Sequence, residues 1–175
     1  EKKASEEELK YLETLIDEIE NAETLADFDD VAEELEKAGI IKPLKTKKSE
    51  KTKLSPFRNF SYGGFEISVG RNNVQNDRLV AEAERSDIWL HAKDYHSSHV
   101  IVRAGGKPVP DEVLLFAAEL CAYYSKGRSA DKIPVDYTLK KHVKKPNGAK
   151  SGFVYYTEQK TLFVTPNAHS DKSTS

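Results

Sequence analysis

The sequence predicts an α+β domain with a mainly antiparallel sheet and packed helices, preceded by an acidic, coiled-coil-like helical arm. Three observations predict it. Residues 1–36 hold three lysines against fifteen acids, a net of −12, and their apolar residues recur at helical spacing. Residues 37–53 hold seven lysines against Glu50, a net of +6, with little to bury, as a basic linker would. From Phe57 onward, short β-branched and aromatic runs mix with helical segments without regular βαβ alternation, and seventeen basic residues meet thirteen acids from residue 54 to the end. The organisation expected is an arm over 1–41, a linker over 42–56, an α+β domain over 57–167 and a flexible tail over 168–175.

In chain order, Ser5 and Glu8 have capping-box spacing ahead of Leu9, Leu12, Ile16 and Ile19, which predicts a first amphipathic helix on that apolar stripe. A second helix follows Thr24, with Leu25, Phe28, Val31 and Leu35 on one side and Gly39 as its stop. FRNFSYGGFEISVG predicts two strands around a Gly63, Gly64 turn. Residues 75–85 predict a helix that buries Leu79, Val80 and Ala83. IWLHA and HVIVRA read as strands, residues 110–126 as the longest helix of the α+β domain, entered through Pro-Asp, and GFVYYT and TLFVTP as two final strands joined by a polar turn.

The 175 residues contain no Met and do not begin with one, so a piece of a longer protein is expected. No apolar run approaches the roughly 18 residues of a membrane helix, so no membrane insertion is expected. The lone Cys121, within LLFAAELCAYY, reads as a small core residue, and nothing suggests an oxidising compartment.

Three stretches carry chemistry. GRNNVQNDRL packs Arg71, Asn72, Asn73, Gln75, Asn76 and Asp77 into seven positions. Amide and guanidinium forks suit base edges and phosphate oxygens, but the same Asn and Asp side chains also cap helices and satisfy turns. Arg71 and Gln75 at least are expected to face RNA. DIWLHAKDYHSSHVIVR holds His91, His96 and His99 within nine positions, without Cys or a HExxH helix. No metal or other cofactor is expected there. Ser97 and Ser98 lack a nucleophile elbow, and Trp89, His91 and Lys93 suit stacking and charge against an RNA strand. TLKKHVKKPNGAKSGFVYY offers Lys140, Lys141, Lys144, Lys145 and Lys150 with no acid over residues 138–156, a basic loop beside aromatic strand positions.

In that order the three stretches resemble the NFACT-R domain of the RqcH/Rqc2/NEMF family, whose Gram-positive members are also named fibronectin-binding proteins. The resemblance covers about residues 57–167, and the acidic helices resemble the end of the coiled-coil arm that precedes NFACT-R. It implies an RNA-binding domain of a cytoplasmic ribosome quality-control factor. Such a factor binds obstructed large ribosomal subunits and recruits tRNA, alanyl-tRNA in bacteria, for C-terminal tailing of stalled chains. The ribosome makes the peptide bond, so no enzyme is implied. The motif residues carried over are the six of GRNNVQNDRL, then Trp89, His91, Lys93, Ser98 and His99, then Lys145, Gly148, Lys150 and Gly152. Two departures stand out: His96-Ser97 replaces a common Pro-Gly, and Lys150-Ser151-Gly152 a common Lys-Pro-Gly. The Gram-positive name supplies an alternative, a fibronectin-binding fragment at the cell surface. The RNA-facing set expected is Arg71, Asn72, Asn73, Gln75, Asn76, Trp89, His91, Lys93, His99, Lys140, Lys141, Lys144, Lys145 and Lys150.

Overall fold

In the computed structural model the described residues are 2–42 and 56–169, so nearly all of the expected linker, and the tail beyond His169, lie outside them. The chain divides into two compact units, Glu1–Pro56 and Phe57–Ser175.

The first unit consists of α1 (Lys2–Glu20) and α2 (Leu25–Lys37). Thr24 and Asp27 form a capping box at the start of α2: Asp27 N donates to Thr24 Oγ1 (3.1 Å) and Thr24 N to Asp27 Oδ2 (3.2 Å). Gly39, at φ +75°, ends the helix where expected. The start of α1 differs from the expectation, because Ser5 lies inside the helix instead of capping it. The burial of α1 differs too. Leu9, Leu12, Ile16 and Ile19 remain exposed, whereas Leu15 is buried and Tyr11 donates through its hydroxyl to Glu34 Oε2 of α2 (2.7 Å). The Tyr11, Leu15 side of the helix is therefore the one packed, not the stripe selected by periodicity.

The second unit is an α+β domain. Its strands are β1 (Arg58–Tyr62), β2 (Phe65–Val69), β3 (Ile88–Ala92), β4 (Val100–Arg103), β5 (Ile133–Leu139) and β8 (Lys160–Val164), in the spatial order β1-β2-β4-β3-β5-β8 with every pair antiparallel. A separate two-stranded ribbon joins β6 (Val143–Lys144) to β7 (Tyr155–Tyr156). The helices are α3 (Asn73–Glu82) and α4 (Asp111–Tyr123), and a 3-10 turn spans Lys140–His142. Gly63 and Gly64, both at positive φ, make the two-residue β1–β2 hairpin turn. Strand β5 was not among the strands read from sequence. Pro134 and the polar Asp136 interrupt its apolar pattern, yet β3 ends opposite Val135, and Pro134 supplies only a carbonyl, to Lys93 N (2.9 Å).

Strand alternation separates two cores. Ile67, Val69, Leu90, Ala92, Val100, Val102, Ile133 and Val135 pack against α4, where Phe116, Ala117, Leu120 and Cys121 are buried. The opposite face packs Trp89 and Ile101 against Leu79, Val80 and Ala83 at α3, closed by Val143, with Val154 and Tyr156 at its margin. Beyond β8 the chain stays on α4, with Asn167 N donating to Glu119 O (3.2 Å) and His169 Nε2 lying 3.0 Å from Glu119 Oε1. Residues 168 and 169 thus belong to the packed domain and not to a free tail. Among the described residues no helix is long and apolar enough to cross a membrane.

Candidate nucleic-acid interface

The amides of GRNNVQNDRL turn inward. Asn72 caps α3, its Oδ1 accepting from Gln75 N (2.9 Å). Gln75 Oε1 accepts from Arg71 N (2.9 Å), and Asn76 Oδ1 reaches across to His99 N (3.1 Å). Gly70 has no room for a Cβ because the Asn76 amide fills that space. Asn72, Asn73, Gln75 and Asn76 are all at most 5 % exposed. This corrects the expectation that these four, and Gln75 in particular, face RNA: Asn72 and Gln75 hold the β2–α3 connection, Asn76 ties it to His99, and Asn73 packs beside Gly152, since a buried amide must find its partners inside the fold. Arg71 stays half-buried.

The second motif forms an aromatic and imidazole stack on the α3 face of the sheet. Trp89, fully buried, donates its Nε1–H to His99 Nδ1 (3.1 Å), so the ring proton of His99 sits on Nε2 and is donated to the Gly152 carbonyl (3.0 Å). Burial holds His99 well below the ordinary imidazole range, reinforced by His91 close by. The two imidazole rings lie 5.1 Å apart. His91 stacks on Trp89 at 5.7 Å, nearly parallel, and burial with the charge of His96 lowers it to about 4 against opposing pulls from the Ala92 backbone and Asp136. Both imidazoles are neutral near pH 7. Trp89 and His99 are thereby removed from the RNA-facing set, because their polar atoms are enclosed. His91, at the margin, retains an accessible edge but brings no charge.

The neighbouring carboxylate was not foreseen from sequence. Asp136, buried on β5 opposite His91, accepts from Tyr156 Oη through Oδ2 (2.6 Å) and from Thr161 Oγ1 through Oδ1 (2.6 Å). Burial and that carboxylate raise the Tyr156 phenol above its ordinary value, and its ring lies 4.5 Å from that of Trp89. The only signal was Asp at an alternate position of an apolar run. Ser97 is also engaged: its hydroxyl accepts from Ala92 N (3.2 Å) and donates to Ser98 O (2.8 Å). With both nitrogens of His99 taken, that serine and that histidine do not form a nucleophile and base pair.

In the third motif Lys145 is a structural tie. Its ammonium donates to Asp77 Oδ1 (3.0 Å), Lys150 O (2.8 Å) and Phe153 O (3.3 Å), and the same Asp77 oxygen accepts from Gly152 N (2.8 Å). Gly152, at φ +81°, has no room for a Cβ beside Asn73, so α3, the basic loop and His99 converge on one glycine. Lys145 is therefore spent within the fold, although its chain remains partly exposed. The ribbon sends the remaining groups outward. Val143 and Tyr156, paired in register, face the core, while Lys144 and Tyr155, also paired, are exposed. Phe153, two residues from Tyr155, is 59 % exposed and Tyr155 54 %. Lys93, Lys141 and Lys150 are exposed as well, and Lys140 is half-buried. The outward group combines cations with bare aromatic rings and no acid over residues 138–156.

The chain matches the family described as NFACT protein RNA binding domain over residues 53–158. It is 42 % identical over 171 residues to a protein of Bacillus subtilis (strain 168) named Rqc2 homolog RqcH, covering 94 % of this chain and 29 % of the relative. A protein of the same name from Streptococcus pneumoniae serotype 2 (strain D39) is 40 % identical, covering 93 % of this chain and 32 % of the relative. The chain thus spans about a third of these relatives. The solved C-terminal part of the fibronectin/fibrinogen-binding protein from Streptococcus suis superposes with a TM-score of 0.80 at 38 % identity, covering 91 % of this chain and 65 % of that one.

Proposed function

The chain belongs to the NFACT RNA-binding-domain family, and from that premise we propose that its second unit is an RNA-binding module of a ribosome quality-control factor. The observation that carries this reading is the β6–β7 ribbon, which sets Lys144 and Tyr155 outward near the exposed Phe153, in a stretch free of acids. Exposed rings offer sequence-tolerant stacking to bases, and lysines neutralise phosphates. Lys93, Lys140, Lys141 and Lys150 extend the cationic surface, and His91 adds a neutral edge. The module binds and does not catalyse. Within the whole cytoplasmic protein its partners are the obstructed large ribosomal subunit and tRNA, alanyl-tRNA in bacteria, recruited for C-terminal tailing.

Binding of the chain to tRNA and to purified large subunits across a salt series tests the reading. Affinity should fall steeply with salt, and Lys144→Ala/Tyr155→Ala should weaken it with folding intact. A well-folded chain that binds neither partner would refute it. The name of the Streptococcus suis protein favours a second reading, a fibronectin-binding fragment at the cell surface. Immobilised fibronectin probed with the same variant across the same salt series separates the two, since protein capture through the bare rings should persist in high salt whereas RNA binding should be lost.

A further inference from the structure

Asp87, buried in the turn between α3 and β3, fastens three loops at one end of the sheet. Its Oδ2 accepts from Glu84 N (2.9 Å) and its Oδ1 from Ala104 N (3.0 Å), beyond the end of β4. Its carbonyl accepts from Lys140 N (2.8 Å) after β5, and the Arg85 carbonyl accepts from Lys141 N (3.2 Å). Gly105 and Gly106, both at positive φ, close a tight turn in which Lys107 N donates to Ala104 O (3.0 Å). Each of the three loops contributes one cation, Arg85, Lys107 and Lys141, to an open groove of about 530 Å³ that Ser86, Gly106 and Leu139 also line.

Among the described residues none of these three cations forms an ion pair with a carboxylate. The acids nearest in the chain are Glu84, exposed beside Arg85, and Asp87, whose two oxygens are occupied by backbone amides. Three like charges are held around one concavity by hydrogen bonds that do not involve their side chains, and among the described residues none of the three is ion-paired. We propose that this groove holds a phosphate of the RNA backbone, adding Arg85 and Lys107 to the RNA-binding surface. Arg85 supplies a planar fork suited to two phosphate oxygens, and the lysines supply point charges from the two other walls. The inference rests on the RNA-binding reading above, but it concerns residues outside the three motifs, apart from Lys141.

The test is binding of labelled tRNA and of an unrelated RNA hairpin between about 50 and 200 mM salt, using wild type, Arg85→Ala/Lys107→Ala/Lys141→Ala and Lys144→Ala/Tyr155→Ala. All three groove side chains are exposed, so the fold should survive, and Trp89 fluorescence checks that it does. The groove variant should bind both RNAs more weakly, with the slope of log K against log salt shallower by about 0.7–0.9 for each phosphate that the variant no longer neutralises. If the groove variant keeps wild-type affinity and slope while the ribbon variant loses binding, the groove is not a phosphate site and the RNA reading stands. If wild type shows no salt-dependent binding to either RNA, both fail together. Should the triple variant misfold, Lys107→Gln alone must still lower affinity for both RNAs.

Discussion

Acidification should destabilise the α+β unit through two packed imidazoles, His91 and His99. His91 takes a proton near pH 6.5 in an unfolded chain but only near 4 in the fold, so below pH 6.5 the unfolded state binds more protons and stability falls with pH down to about 4. At about pH 5 that difference amounts to about 2 kcal/mol from His91 alone. His99 acts in the same direction, because a proton on its Nδ1 would meet the Trp89 N–H already pointing there. For a unit of this size, 2 kcal/mol lowers Tm by on the order of 8 °C. The assay is local, since Trp89 is the only tryptophan, is buried, stacks on His91 and bonds to His99. Urea unfolding followed by its fluorescence at about pH 7 and about pH 5 reads this unit and not the acidic arm. His91→Phe keeps a ring on Trp89 and cannot titrate, so it should lose less stability over that interval. An equal urea midpoint at both pH values in wild type, or an unchanged pH dependence in His91→Phe, would refute the reasoning.

Three further outcomes follow from the same geometry. Gly152→Ala should destabilise the unit by about 2 kcal/mol or more, from left-handed backbone strain plus overlap with the Asn73 amide, read as a lower Tm with cleavage by trypsin at Lys150. Lys145→Ala should lower Tm by removing the tie to Asp77 and two carbonyls, whereas Lys144→Ala should leave Tm unchanged and reduce only RNA affinity; equal Tm values for the two variants would contradict this division. Cys121, buried and with its thiol pushed up to about 12, mainly by burial, should resist maleimide at pH 8 in the native chain and react at once in denaturant.

Much of the fold was legible because it depends on neighbours in sequence. The Gly63, Gly64 hairpin, the Thr24 cap, the Gly39 stop and the long helix before residue 126 are decided by φ preference, capping and 3.6-residue periodicity within a few positions. Two of the features missed share a cause. Strand β5 is central, yet Pro134 and Asp136 break its pattern, and only its neighbours β3 and β8 explain why both are tolerated. The apolar stripe of α1 has good helical spacing, but the side that is buried depends on where α2 lies.

The candidate site divides in the same way. Composition alone determined that the chain carries an acidic arm and a basic, aromatic stretch without acids, because charge and exposure of lysines need no tertiary partner. Only the tertiary structure decided which forked side chains remain available. An asparagine that caps a helix and one that reads a base are the same residue in a sequence. Asn76 is bonded to His99, 23 positions away, Asp77 to Gly152, 75 positions away, and Lys145 to Asp77, 68 positions away. A buried donor or acceptor must be satisfied by whatever the fold brings beside it, and that choice is made across the chain, beyond the reach of any local pattern.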